Sequence, residues 1–150
     1  MASAAGPAPR VRPATADDAG AVARLLAQLG YPCAHEEAAE RIAVIAADPR
    51  QHLLLAEHDG AACGLVSLHL LYSLAHGAEL ARITALVVAP EHCRRGIGRR
   101  LLREVEQLSR RRRVHRIEVA SNAQRTGAHA FYRDCGYADG SLRFVKMLGD

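Results

Sequence analysis

Paired cysteines, long apolar runs and aromatic residues are what this 150-residue chain has least of, and each scarcity removes a class of protein. The four cysteines, Cys33, Cys63, Cys93 and Cys135, lie far apart and form no C-x-x-C pair. That argues against a disulfide framework or a zinc site and for reduced thiols in a cytoplasm, the expected location. The eight histidines make no H-x-x-x-H pair, so no metal is expected. Almost half the residues are apolar, yet no run approaches a membrane span, and no membrane partner is expected. Aromatic residues are only 4% and none is interleaved with the arginines clustered between Arg94 and Arg116, which leaves no stacking platform there for nucleic acid. The opening MASAAGPAPR lacks a charged segment followed by an apolar one. It reads as a disordered tail over residues 1–9 rather than a secretory signal.

What remains, residues 10–150, is enough chain for one domain with a real core, and no internal repeat or linker divides it. The net charge of +4 is modest, but the basic residues are almost all Arg and many cluster between Arg94 and Arg116. The run from Arg110 to Arg113 falls at a predicted helix end, where solvated cations meet the negative end of the dipole.

The organising stretch reads LVVAPEHCRRGIGRRLL, from Leu86 to Leu102. Leu86, Val87 and Val88 run into Ala89-Pro90, and Pro90 cannot sit inside a ladder, so a buried strand ends there. Beyond a short polar loop, Ile97, Leu101, Leu102, Val105 and Leu108 recur at helical spacing with Arg and Glu opposite. A strand, a loop and a glycine-bearing helix start leave several N–H groups unpartnered where the helix dipole favours an anion. Gly96 and Gly98 remove side chains that would hold a phosphate off the backbone, and Arg94, Arg95, Arg99 and Arg100 supply a positive field. Pyrophosphate binding is the expected chemistry; a helix start that merely tolerates two glycines is the rival. No Lys-Ser or Lys-Thr follows, so this is not a P-loop, and the third glycine of a dinucleotide fingerprint is missing.

A second segment, NAQRTGAHAFYRDCGY at residues 122–137, forms a short helix with Ala128, Phe131, Tyr132 and Cys135 on one face and Gly136 closing it. Together the two stretches resemble the GNAT superfamily of acyl-CoA N-acyltransferases. In that family a loop of the form Gln/Arg-x-x-Gly-x-Gly/Ala follows a bulged strand, and a later Asn, Ala, Phe-Tyr and Gly-Tyr/Phe segment completes the cofactor site. Here the loop is Cys93-Arg94-Arg95-Gly96-Ile97-Gly98, with Cys93 where Gln or Arg is usual. The family's contacts from this loop are mainly backbone N–H groups. The resemblance spans most of the chain, from about Arg10 to Leu148.

The other elements agree with a mixed α/β fold, a mostly antiparallel central sheet flanked by helices in a single domain. A first strand covers Val11 to Pro13, and Thr15 with Asp18 introduces a helix carrying Val22, Leu25, Leu26 and Leu29. A second helix starts near His35 and stops before Asp48-Pro49. Asp59-Gly60 turns a hairpin between strands at residues 53–57 and 62–71, and the next strand runs from Leu80 to Val88. Residues 72–77 read as a loop reaching the acceptor. Strands at 116–120 and 142–148 flank the last helix.

The resemblance implies acetyl-CoA as cosubstrate, without metal or covalent enzyme intermediate, and an amine acceptor, preferably a small molecule. Tyr132 matches the family tyrosine near the thioester sulfur, and a phenol of pKa about 10 suits protonation of a departing thiolate. Backbone groups of Leu86, Val87 and Val88 would pair with the pantetheine arm, and Asn122 matches the asparagine that bonds it. Glu79 is the candidate base, with His76 and His129 as alternatives; His129 otherwise packs beside the cofactor. Arg99 belongs with the loop at the pyrophosphate. The helical pair borders the acceptor pocket, which brings in Tyr31 and Glu36, while Glu36, Glu37, Glu40 and Glu79 could attract a cationic acceptor. A protein lysine or N-terminus as acceptor, and an acetyl-CoA-binding module without turnover, stay open. Dimers are common in the family, so a homodimer is compatible with the resemblance.

Overall fold

The computed structural model describes residues 9–92, 96–120, 126–140 and 143–149. The expected tail, the loop residues Cys93, Arg94 and Arg95, and Asn122 therefore lie outside the described residues, save Pro9 at the tail's end. Five strands form one sheet in chain order: β1 (Arg10–Pro13), β2 (Gln51–His58), β3 (Ala61–Ser73), β4 (Ala78–Val88) and β5 (Ile117–Val119). The first four pair antiparallel with their neighbours. The chain forms two compact units, one ending at Glu118 and one beginning at Val119. The first contains helices α1 (Ala19–Leu29), α2 (His35–Ala46) and α3 (Ile97–Arg111); the second contains α4 (Thr126–Asp134).

Local chemistry accounts for the boundaries. A single 3-10 turn precedes α1, and its Asp18 carboxylate accepts the Thr15 N–H at 2.7 Å, the reciprocal half of a capping box. Gly30, at φ 106°, closes α1 in a left-handed conformation open to glycine at little cost. At the start of α2 the Glu37 carboxylate accepts the Ala34 N–H at 2.8 Å. Asp59 and Gly60 both take positive φ, 53° and 78°, as a two-residue hairpin turn requires.

The sheet is covered on both faces. On one, Val22 and Leu25 of α1 and Ala38 and Ile42 of α2 pack with Leu55, Leu65 and Val87. On the other, α3 contributes Ile97, Leu101, Leu102 and Val105, all buried. Residues 63–68 of β3 are buried without a break, as expected for a strand covered on both sides. At Gly64 the approach is closest: a Cβ there would lie 3.1 Å from the Val87 carbonyl oxygen and 3.2 Å from both Ile97 and Leu101 side chains.

Arg12 joins three elements. Its guanidinium donates to both Asp18 oxygens at 2.8 Å and to Glu57 at 2.9 Å, tying β1 to β2 and to the entry of α1. The Arg12 hydrogen bonds, strengthened by the Thr15 N–H, hold the Asp18 carboxyl down at about 2 despite its burial.

Two expectations are corrected. Residues 143–149 form no strand, and Phe144 and Leu148 are each 89% exposed. Alternating polarity makes a segment capable of pairing, but a strand exists only through a ladder, and this segment joins none. Residues 72–77 are not one loop either. Tyr72 and Ser73 extend β3 opposite Glu79 and Ala78, so only residues 74–77 turn.

Two outcomes follow from these contacts. Gly64→Ala should lower stability by about 1–3 kcal/mol, because the added methyl must displace α3 from β3; chemical denaturation measures it. Stability should also fall in acid. Asp18, depressed in the folded state, contributes about 2 kcal/mol above the ordinary aspartate pKa, and this is lost as pH falls through about 2. In Arg12→Met the unfolding free energy should depend less steeply on pH between 5 and 2.

Candidate functional site

The close contact at Gly64 joins the end of β4 to the start of α3. Val87 supplies the strand's carbonyl, and Ile97 is the first residue of the helix. Gly96 precedes it at φ 74°, and the first intrahelical bond is Arg100 N–H to the Gly96 carbonyl at 3.0 Å. The N–H groups of Ile97, Gly98 and Arg99 thus head the helix with no acceptor inside it. They present three donors and the positive end of a 15-residue dipole, while Arg99 is exposed beside them. Arg100 is committed elsewhere, to Glu104 at 2.9 Å and the Pro9 carbonyl at 3.0 Å. These residues fit a pyrophosphate.

On the strand side, β5 is anchored near the middle of β4 by the Ala81 N–H to the Arg116 carbonyl at 2.8 Å. With only three residues it stops short of Leu86. Leu86 and Val87 are paired with β3 on one edge, and among the described residues no strand ladder covers their other edge. An extended chain could add there by backbone hydrogen bonds.

A cavity of about 320 Å³ opens between α1, α2 and the sheet next to this strand. Val22, Ile42, Leu65 and Ser67 form its buried end, and Tyr31, Arg41 and Thr84 are exposed at its rim. Thr84 owes its position to a bulge: Ser67 pairs with Ala85 and Leu68 with Ile83, leaving Thr84 as the extra residue. Its hydroxyl hydrogen bonds to that of Ser67. A second cavity of the same volume lies against Ile42, Ile45 and Leu53 as well, and is lined by His52, whose Nε2 is buried without a hydrogen-bond partner among the described residues. Burial, then the Arg112 charge, keeps the His52 imidazole below its ordinary pKa.

The sequence-predicted residues divide accordingly. Leu86, Val87, Val88, Gly96, Ile97, Gly98 and Arg99 come together at the strand end and helix start. Tyr31 lines the cavity, whereas Glu36, Glu37, Glu40 and residues 72–77 do not. Glu79 sits at the other end of β4, ion-paired with Arg50. Leu86 lies seven positions further along the strand, about 23 Å at ~3.3 Å per residue. His76 bonds Ser73 at 2.8 Å in the adjoining turn. In the second unit, Tyr132 lies between two aromatic edges, Phe131 at 5.4 Å and Tyr137 at 5.8 Å, and His129 is half-buried on the same helix. Sequence reasoning missed Arg41, Ser67 and Thr84. Only Thr84 left a trace, as the one hydroxyl interrupting the apolar run of β4.

Comparison with known proteins gives concordant results. The acetyltransferase (GNAT) family pattern matches residues 21–137, spanning both units. An aminoalkylphosphonate N-acetyltransferase of Salmonella typhimurium is 32% identical over 143 residues, covering 95% of this chain and 93% of that protein. A GNAT family acetyltransferase structure from Staphylococcus aureus superposes with a TM-score of 0.80 at 25% identity, covering 93% of this chain and 98% of that one. An aminoglycoside 6'-N-acetyltransferase from Acinetobacter baumannii shares the fold, with a TM-score of 0.80, 18% identity and coverage of 95% and 100%.

Gly96→Ala tests the helix start. A Cβ in this left-handed conformation costs about 1 kcal/mol, so the loop should shift and affinity for coenzyme A should fall about fivefold, measured by calorimetric titration.

Proposed function

Because the chain belongs to the GNAT family of acetyltransferases, we propose that it transfers the acetyl group of acetyl-CoA to the primary amine of a small molecule by direct attack. The observation that carries this reading is the cavity beside β4: Thr84 and Ala85 line it, and Leu86 and Val87 follow immediately on the same strand. Donor and acceptor sites on adjacent residues of one strand bring the reacting groups together without a covalent enzyme intermediate. A cavity of about 320 Å³ suits a small molecule better than a peptide. The relative named for aminoalkylphosphonates supports the same choice. The widely spaced cysteines favour a cytoplasmic enzyme.

The chain's own groups divide the work. The donors at the start of α3 hold the pyrophosphate of acetyl-CoA, and the backbone of Leu86 and Val87 holds the pantetheine arm. A backbone N–H there polarises the thioester carbonyl. The neutral amine attacks the carbonyl carbon, the C–S bond breaks, and the thiolate leaves with a proton from Tyr132. The proton lost by the amine passes to water. Glu79 takes no part: it is remote from the thioester end of the strand and neutralised by Arg50.

Free-thiol release with acetyl-CoA and an amine panel tests this. Tyr132→Phe should lower kcat at least tenfold while acetyl-CoA affinity changes less than twofold. Glu79→Gln should change kcat/KM less than twofold; a hundredfold loss would return the base role to Glu79.

A further inference from the structure

The charge of the acceptor cavity selects among amines. Its lining is apolar apart from Ser67, Thr84, Tyr31 and Arg41, and among the described residues no carboxylate lines it. The acidic residues of α2 lie elsewhere, and Glu37 is engaged in capping the helix. Arg12, Arg50, Arg82 and Arg100 each meet a carboxylate, and none of these four lines the cavity. Arg41 meets none among the described residues, although Glu36, Glu37 and Glu40 share its helix. A guanidinium left without an internal counterion at the rim of a cavity is a fork of donors for an external acid.

We propose that the acceptor is a short amine bearing an acidic group, and that Arg41 is the residue that reads the acid. This rests on the acetyltransferase reading of the same cavity. The amine would lie toward Thr84 and Ala85, next to the thioester, and the carboxylate or phosphonate toward Arg41 on α2. The apolar walls contributed by Val22, Leu26, Ile42 and Leu65 leave room for a short carbon chain between the two ends. Two consequences distinguish this class. A polycation such as a polyamine or aminoglycoside finds no carboxylate here and meets a like charge at the rim. The larger of these would also extend beyond the cavity, since about 320 Å³ lies at the low end for small-molecule sites. The expectation that acidic residues draw in a cationic acceptor is thereby reversed.

The test compares acceptors of one amine geometry and different charge: β-alanine and 2-aminoethylphosphonate, ethanolamine as the neutral member, and spermidine as the polycation. Initial rates of thiol release are measured with wild type, Arg41→Gln and Arg41→Lys. The acid-bearing amines should exceed the neutral one in kcat/KM at least tenfold. Arg41→Gln should shrink that ratio at least tenfold, chiefly through KM, and Arg41→Lys should restore part of it. Preference for ethanolamine or spermidine, or a loss in Arg41→Gln equal for all acceptors, would overturn the assignment. Calorimetric binding of 2-aminoethylphosphonate to protein saturated with coenzyme A separates the two readings. Binding that weakens at least tenfold in Arg41→Gln without turnover of any amine would sustain Arg41 and defeat the transferase reading. Undetectable binding to wild type, in the absence of turnover, would defeat both.

Discussion

The fit of α3 against a glycine is the contact on which the arrangement depends. Position 64 carries no side chain, and the Ile97 and Leu101 side chains and the Val87 carbonyl all crowd the space that a Cβ there would need. The same contact fixes where the helix begins relative to the end of β4. Gly96 then turns the chain in a left-handed conformation, and the N-terminal donors of α3 face outward beside Leu86 and Val87. The groups proposed to hold the pyrophosphate and the thioester are thus set by one packing event, which links a core residue to the geometry of the candidate site.

β4 carries the second half of the site through a departure from regularity. The bulge opposite Ser67 and Leu68 inserts Thr84 as an extra residue and bends the strand next to the cavity. Among the described residues no strand ladder covers the adjoining edge at Leu86 and Val87. One strand therefore offers a cavity with α1 and α2 on its face and a backbone edge for an extended ligand.

Much of this was legible in the chain. Asp59-Gly60, Gly30 and the strand-to-glycine passage at residues 86–98 are local signals, because each states a backbone requirement that few residues meet. The periodicity of α3 was equally plain, with one apolar stripe between arginines. Residues 142–148 misled for a physical reason. Period-two alternation states which residues would share a face, but pairing comes from a neighbour elsewhere, and residues 143–149 have none in the sheet. The placement of Glu79 depends on the length of the strand. Its position just before the cofactor strand suggested proximity, whereas β4 extends through it and carries it to the far end, beside Arg50.

Sequence alone determined the order of the first elements and the glycine-headed helix, since these follow from local conformational limits and periodicity, while the family rested on the resemblance of two motifs. Tertiary structure decided the character of the acceptor cavity. Tyr31, Arg41, Ser67 and Thr84 come from four separate stretches, and no spacing along the chain relates them. Which charges meet is likewise a matter of folding: Glu37 turns to its own helix start, Glu79 to Arg50, and Arg41 is left facing the cavity. A charge census of the sequence counts such groups but cannot pair them, because pairing depends on distances that only the packed sheet and helices create.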